Sequence, residues 1–175
     1  QAIGIDYARD YVARFGFNKE DLPRNLSLAL GTANLTPMEV ATGWSTFANG
    51  GYKIQPYLIE RIESRDGQPL FIANPASVPQ NSPQDIDAQE QPNTAAATIE
   101  PAAAERIIDE RTAFILTSML QDVIKRGTGR RALAMGRSDL AGKTGTTNES
   151  KDSWFSGYNA DYTTTVWSGF DQPES

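Results

Sequence analysis

Residues 141–158 read AGKTGTTNESKDSWFSGY. Lys143 stands in a run of small residues, Ala141-Gly142-Lys143-Thr144-Gly145-Thr146. Its charge suits a carboxylate or phosphate, and it would lower the proton affinity of a neighbouring group. The hydroxyls of Thr144 and Thr146 could donate hydrogen bonds to the same anion. Gly145 lacks a side chain and lets a ligand come close to the backbone. If the run is a strand edge, its N–H and C=O groups would also pair with an extended peptide.

Two motifs compete for this lysine. GRSDLAGKT resembles a phosphate-binding loop, which needs glycine, four residues, then Gly-Lys-Thr. Here five residues separate Gly136 from Gly142, and Arg137 occupies the position that needs glycine. Such a lysine also opens a helix, whereas Gly145, Thr146, Thr147 and Asn148 are poor helix formers. A nucleotide binder is therefore a remote alternative. The second motif is Lys-Thr-Gly on a strand, the third signature of serine acyl-transfer enzymes that react with penicillin.

Composition narrows the chemistry further. The chain has no cysteine and no histidine. That removes disulfides, thiolate nucleophiles and Ser-His-Asp catalysis, and leaves no expectation of a zinc site or other metal or cofactor. No run of about 18 apolar residues suggests a membrane helix. The chain starts with Gln1 rather than Met, which reads as a fragment or a processed product.

The elements that must position Lys143 follow from periodicity and end signals. DYARDYVARFGF places Tyr7, Tyr11, Val12 and Phe15 on one helical face and stops at Gly16. LTPMEVATGWSTFANGGY has Thr36 as N-cap, Pro37 at the first helical position and Glu39 three residues after Thr36, the pattern of a capping box. YKIQPYLIERIES, Asp66-Gly67 and QPLFIA predict a β-hairpin, with Pro56 at an edge or bulge. DERTAFILTSMLQDVIKRG predicts an amphipathic helix with Ala113, Leu116, Leu120, Val123 and Ile124 on one face. DLAGKTGTT, DSWFSGYN and DYTTTVWSGFD predict an antiparallel meander. Helices followed by contiguous antiparallel strands give an α+β fold, an antiparallel sheet flanked by helices.

Charge marks a boundary between these parts. The formal net charge is −6, and residues 74–110 hold seven acids and one base, Arg106, so the remainder is neutral overall. The same stretch holds five of the ten prolines and few large apolar residues. Residues 74–103 therefore read as a disordered acidic linker or insertion between a helix-and-hairpin part (1–73) and a helix-and-meander part (104–175). The basic residues Lys125, Arg126, Arg130, Arg131 and Arg137 surround Asp122 and Asp139 without interleaved aromatics. They read as a helix terminus and an exposed loop rather than a nucleic-acid site. Lys151 and Asp152 read as turn residues with a local ion pair. Trp154, Phe155 and Tyr158 read as strand packing, with Trp154 or Tyr158 able to border a cleft.

Taken together, SLALGTANLTPMEVATGWSTFANGGY, GKTGTTNESKDSWFSGY and TTTVWSGFD resemble the transpeptidase domain of class A penicillin-binding proteins, most closely those of the 1A type. The resemblance implies a serine acyl-enzyme on the periplasmic face of the bacterial inner membrane. Such an enzyme cross-links peptidoglycan stem peptides and is acylated by β-lactam antibiotics, usually behind a glycosyltransferase domain and a membrane anchor. It further implies that Lys143 sets the electrostatics around the nucleophile and that Thr144 and Thr146 bind a substrate carboxylate. The Thr146 N–H would be one oxyanion-hole donor, and Gly145 would permit close approach. The family also needs Ser-x-x-Lys and Ser-x-Asn. No serine here has lysine three residues on or asparagine two residues on. Ser27 and Ser45 have no lysine or histidine base in sequence reach. The nucleophile is thus expected upstream of Gln1, as a partner segment of the same protein. A penicillin-recognising sensor domain of the same fold, without catalysis, is the alternative.

Overall fold

The computed structural model describes residues 3–79, 101–147 and 151–170. The chain divides into two compact units, Gln1–Lys53 with Arg106–Ser175, and Ile54–Glu105.

In the first unit, helix α1 spans Ile5–Ala13. Tyr7, Tyr11 and Phe15 lie one turn apart, so their rings meet in succession at centroid separations of 6.2 and 5.9 Å. Helix α2, Pro37–Ala48, carries the complete capping box. The Thr36 hydroxyl accepts from the Glu39 N–H, and the Glu39 carboxylate accepts from the Thr36 N–H at 2.7 Å. The Thr36 hydroxyl also donates to that carboxylate at 2.8 Å, and the Thr36 N–H and then the hydroxyl hold the Glu39 carboxyl below its ordinary range.

Beyond α2 the chain reverses at Gly50 and Gly51, both with positive φ. The Gly51 carbonyl then accepts from the N–H groups of Ile107 and Ile108, at 2.8 and 3.3 Å. This joins the two sequence-distant halves of the unit. Arg106 reinforces the joint. Its guanidinium lies 4.3 Å from the Tyr52 ring centroid and donates to the Gly50 carbonyl at 2.9 Å. Phe15, Ile107, Ile108 and Ala113 form the buried cluster here, with Tyr11, Phe17 and Phe47 packed against it.

Helix α3 spans Glu110–Arg126, with the Asp109 carboxylate accepting from the Arg111 N–H as cap. Ala113 and Ile124 of the expected face are buried, and Leu116, Leu120 and Val123 are half-buried. Arg126 pairs with Asp122 and Arg137 with Asp139, both exposed. Pairs so open to solvent add little to stability.

The predicted meander is present as β3 (Ala141–Thr146), β4 (Ser153–Tyr158) and β5 (Thr163–Ser168), in the order β3-β4-β5, all antiparallel. Registers run Ala141↔Tyr158 to Thr146↔Ser153, and Ser153↔Ser168 to Tyr158↔Thr163, without a bulge.

The second unit contains the hairpin, β1 (Arg61–Glu63) with β2 (Pro69–Ile72). It is shorter than the sequence suggests, and Pro56 lies outside it. The irregularity falls instead between Ile62 and Glu63, opposite Pro69, which has no N–H to give the ladder. Gly67 takes the left-handed conformation of the loop at φ 77°. Ser77 and Ala103 form a parallel bridge, with Ser77 donating to the Ala102 carbonyl at 2.9 Å and Ala104 donating to the Ser77 carbonyl at 2.8 Å. Most of the expected linker, residues 80–100, lies outside the described residues.

Candidate active site

The Lys-Thr-Gly run forms β3, at the edge of its sheet. Among the described residues no strand pairs with its other edge. Which backbone groups face that edge follows from the ladder. Thr147 donates to the Asp152 carbonyl at 3.1 Å, so Thr147 and Asp152 occupy a hydrogen-bonded position. Antiparallel ladders alternate such positions with non-bonded ones. Thr146 and Thr144 therefore turn their own N–H and C=O groups away from β4. The Thr144 carbonyl accepts from Lys143 Nζ at 2.7 Å, in keeping with that orientation.

Side chains divide along the same alternation. Lys143 pairs with Ser156 and Gly145 with Trp154 on one face, while Thr144 pairs with Phe155 and Thr146 with Ser153 on the other. Lys143 and Thr146 are exposed, and Thr144 and Gly145 are half-buried. The sequence expectation for Gly145 was ligand approach. The structure adds a second reason, since a Cβ there would stand 3.2 Å from the Trp154 Cβ, tighter than ordinary contact. The Thr144 hydroxyl lies 2.6 Å from that of Thr128, in the connection between α3 and β3.

A groove of about 920 Å³ runs along β3. Its lining combines Lys143, Thr144, Gly145, Thr146, Asp152 and Trp154 of the meander with Phe17, Leu30, Leu35, Val40 and Trp44. The groove is thus largely apolar, with a polar stretch along β3 that carries charges of both signs. Two parts of this lining escaped sequence reasoning. Asp152 accepts from the Trp167 indole N–H at 3.0 Å, while its own N–H donates to the Thr147 hydroxyl at 2.8 Å. These bonds clamp the end of β3 to β4 and β5. Trp44 reaches the Tyr158 ring at 6.2 Å, linking α2 to the meander. Tyr158 is buried, which raises its phenol above the ordinary value, while its bond with the Thr117 hydroxyl at 2.7 Å opposes the shift. No sequence signal foretold the contacts of Asp152 with Trp167, Trp44 with Tyr158 or Thr117 with Tyr158, because each joins residues 15 or more apart.

Ser27 bonds with Asn25 and Thr32, and the Ser45 hydroxyl donates to the Thr42 carbonyl at 2.6 Å. Each hydroxyl is thus engaged locally. No helix among the described residues is long and apolar enough to cross a membrane.

Residues 1–172 match the family model for the penicillin-binding protein transpeptidase domain. The chain belongs to the penicillin-binding protein transpeptidase family. It is 60% identical to penicillin-binding protein 1A of Pseudomonas aeruginosa, covering 100% of this chain and 24% of that protein. With penicillin-binding protein 1A of Neisseria meningitidis it shares 44% identity over 99% of this chain and 19% of that protein. The penicillin-binding transpeptidase fold is shared with the crystal structure of penicillin-binding protein 1A from Haemophilus influenzae. There the TM-score is 0.81 at 36% identity, over 97% of this chain and 27% of that one. PonA1 of Mycobacterium tuberculosis, at 21% identity, has the same fold with a TM-score of 0.72. The chain therefore spans about a quarter or less of the length of its curated relatives and constitutes part of a penicillin-binding transpeptidase domain.

Proposed function

We propose that this chain is the C-terminal portion of the transpeptidase domain of a peptidoglycan D,D-transpeptidase. The acceptor and donor are peptidoglycan stem peptides, joined through a serine acyl-enzyme that β-lactams also form. The serine belongs to a Ser-x-x-Lys segment, and a Ser-x-Asn segment completes the site; both lie in the part of the protein outside these 175 residues. The parent protein also polymerises glycan strands and works at the periplasmic face of the inner membrane.

The observation that carries this reading is the edge of β3 that pairs with no strand among the described residues. It presents the Thr146 and Thr144 backbone groups beside a lysine ammonium and two threonine hydroxyls. An extended peptide ending in a carboxylate would pair with the edge as an added strand, its carboxylate on the hydroxyls. Lys143 supplies the positive field for that carboxylate and for the nucleophile. The Thr146 N–H stabilises the tetrahedral oxyanion, and loss of such a donor lowers turnover by about 10² to 10³ fold.

The test uses the full-length protein and a fluorescent penicillin. The adduct is expected on a serine outside residues 1–175. Lys143→Ala should lower acylation efficiency about tenfold or more, since a charge-assisted hydrogen bond contributes roughly 1.5–3 kcal/mol. Thr146→Ala should be milder because the N–H survives, and Thr146→Pro far worse because it does not. A stable adduct on a serine of this chain, or parental acylation by Lys143→Ala, overturns the assignment.

A further inference from the structure

The connection Gly127-Thr128-Gly129 is held tightly, although Gly127 and Thr128 are exposed. The Gly127 N–H donates to the carbonyls of Asp122 and Val123, each at 3.1 Å, and the Gly129 N–H donates to the Val123 carbonyl at 3.0 Å. Both glycines sit against the end of α3. A Cβ on Gly127 would stand 2.8 Å from the Val123 Cα, and one on Gly129 2.8 Å from the Ile124 Cδ1. The turn is thus seated on the helix terminus, and the residue between its glycines is Thr128. That side chain meets the Thr144 hydroxyl at 2.6 Å.

A threonine hydroxyl has one proton to give and two lone pairs. In a two-hydroxyl pair, one proton lies between the oxygens and the other is free. If Thr144 is to donate to a carboxylate, its proton must be the free one, and Thr128 must be the donor to Thr144. We propose that Thr128 is a positioning residue that fixes the Thr144 hydroxyl as a donor toward the substrate carboxylate. Donation from Thr128 also polarises the Thr144 O–H and strengthens the bond it makes. The inference rests on the reading of Thr144 as a carboxylate-binding residue.

A coupling experiment on the full-length protein, with the same fluorescent penicillin and its free carboxylate, tests it. Thr128→Val keeps the shape and removes the proton; acylation efficiency should fall about three- to tenfold, mostly in the binding constant rather than the limiting rate. Thr128→Ser should restore the parental value. In a Thr144→Val background, Thr128→Val should have no further effect, because the hydroxyl it orients is gone. Should Thr128→Val fail to fold by its melting curve, Thr128→Ala enters the same cycle. Equal losses from the Thr128 substitution in both backgrounds, or parental acylation by Thr128→Val while Thr144→Val is impaired, overturn this inference and leave the site reading standing. Parental acylation by Thr144→Val overturns the carboxylate role of Thr144, and this inference with it.

Discussion

The two antiparallel pieces of this molecule are built on opposite terms. Every residue of β1 and β2 is exposed, including Ile62, Leu70, Phe71 and Ile72. In the meander, Ala141, Gly142, Ser156, Gly157 and Tyr158 are buried. The hairpin is held by its turn: Ser64 donates to the Gln68 carbonyl at 2.7 Å, and the Gly67 N–H donates to that of Ser64 at 3.0 Å. The meander is held by what covers it, since α2 and α3 both reach Tyr158. One face of a buried sheet forbids a register slip, because a shift of one residue would turn Tyr158 out and its neighbours in. The exposed hairpin has no such constraint, and it is there that the register breaks, opposite Pro69. The strand that carries Lys143 and Thr146 belongs to the buried sheet, whose register is fixed.

Two glycines give the sharpest way to break this contrast. Both have positive φ, 109° at Gly51 and 77° at Gly67. A Cβ on Gly51 would overlap the Ile108 carbonyl oxygen, whereas nothing lies within 4 Å of one on Gly67. Gly51→Ala therefore adds a backbone clash to conformational strain. It should destabilise the domain by about 3 kcal/mol or more in urea unfolding of the full-length protein. Gly67→Ala should cost only the strain, about 1.5 kcal/mol. Equal effects would mean that the joint at Ile107 and Ile108 does not hold the first unit together.

The cap of α2 tests the helix that faces the meander. Thr36→Ala should cost about 1 kcal/mol at pH 7. Part of that belongs to the ionised Glu39. Its folded carboxyl is lowered from its ordinary value by the Thr36 N–H and then by the Thr36 hydroxyl, so the hydroxyl's share is present above the ordinary glutamate range and is lost as the pH falls through the depressed value. The difference between parent and Thr36→Ala should therefore shrink between pH 6 and pH 3 in parallel unfolding curves. A constant difference would assign the whole cost to the bond that the hydroxyl accepts from the Glu39 N–H.

The smallest effect sharpens the contrast from the hairpin side. Phe71 is 47% exposed, so Phe71→Ser should change stability by no more than about 0.5 kcal/mol. A cost above about 1.5 kcal/mol in the full-length protein would show that other parts of it cover the hairpin.

Much of this was legible in the sequence because it is local. The capping box of Thr36 and Glu39, the face of α3, the three strands of the meander and the Lys-Thr-Gly run itself depend on residues within a few positions of each other. Caps, helical faces and strand alternation are set by the 3.6- and 2-residue periods, which a chain displays before it folds. The hairpin was legible in kind and not in extent. Apolar residues from Tyr52 onward suggested a longer strand, while pairing begins only at Arg61, past Pro56.

What the sequence alone determined was the chemistry on offer: a lysine and two threonines on a strand, with neither histidine nor cysteine to work beside them. Only the tertiary structure decided where that chemistry points. The outward turn of the Thr146 N–H depends on the pairing of Thr147 with Asp152. The close fit at Gly145 depends on Trp154 across the ladder, and the contact of the Thr144 hydroxyl on Thr128, 16 residues away. Each is a contact between residues that no local period brings together. It forms only when burial of the shared face holds the two segments in register.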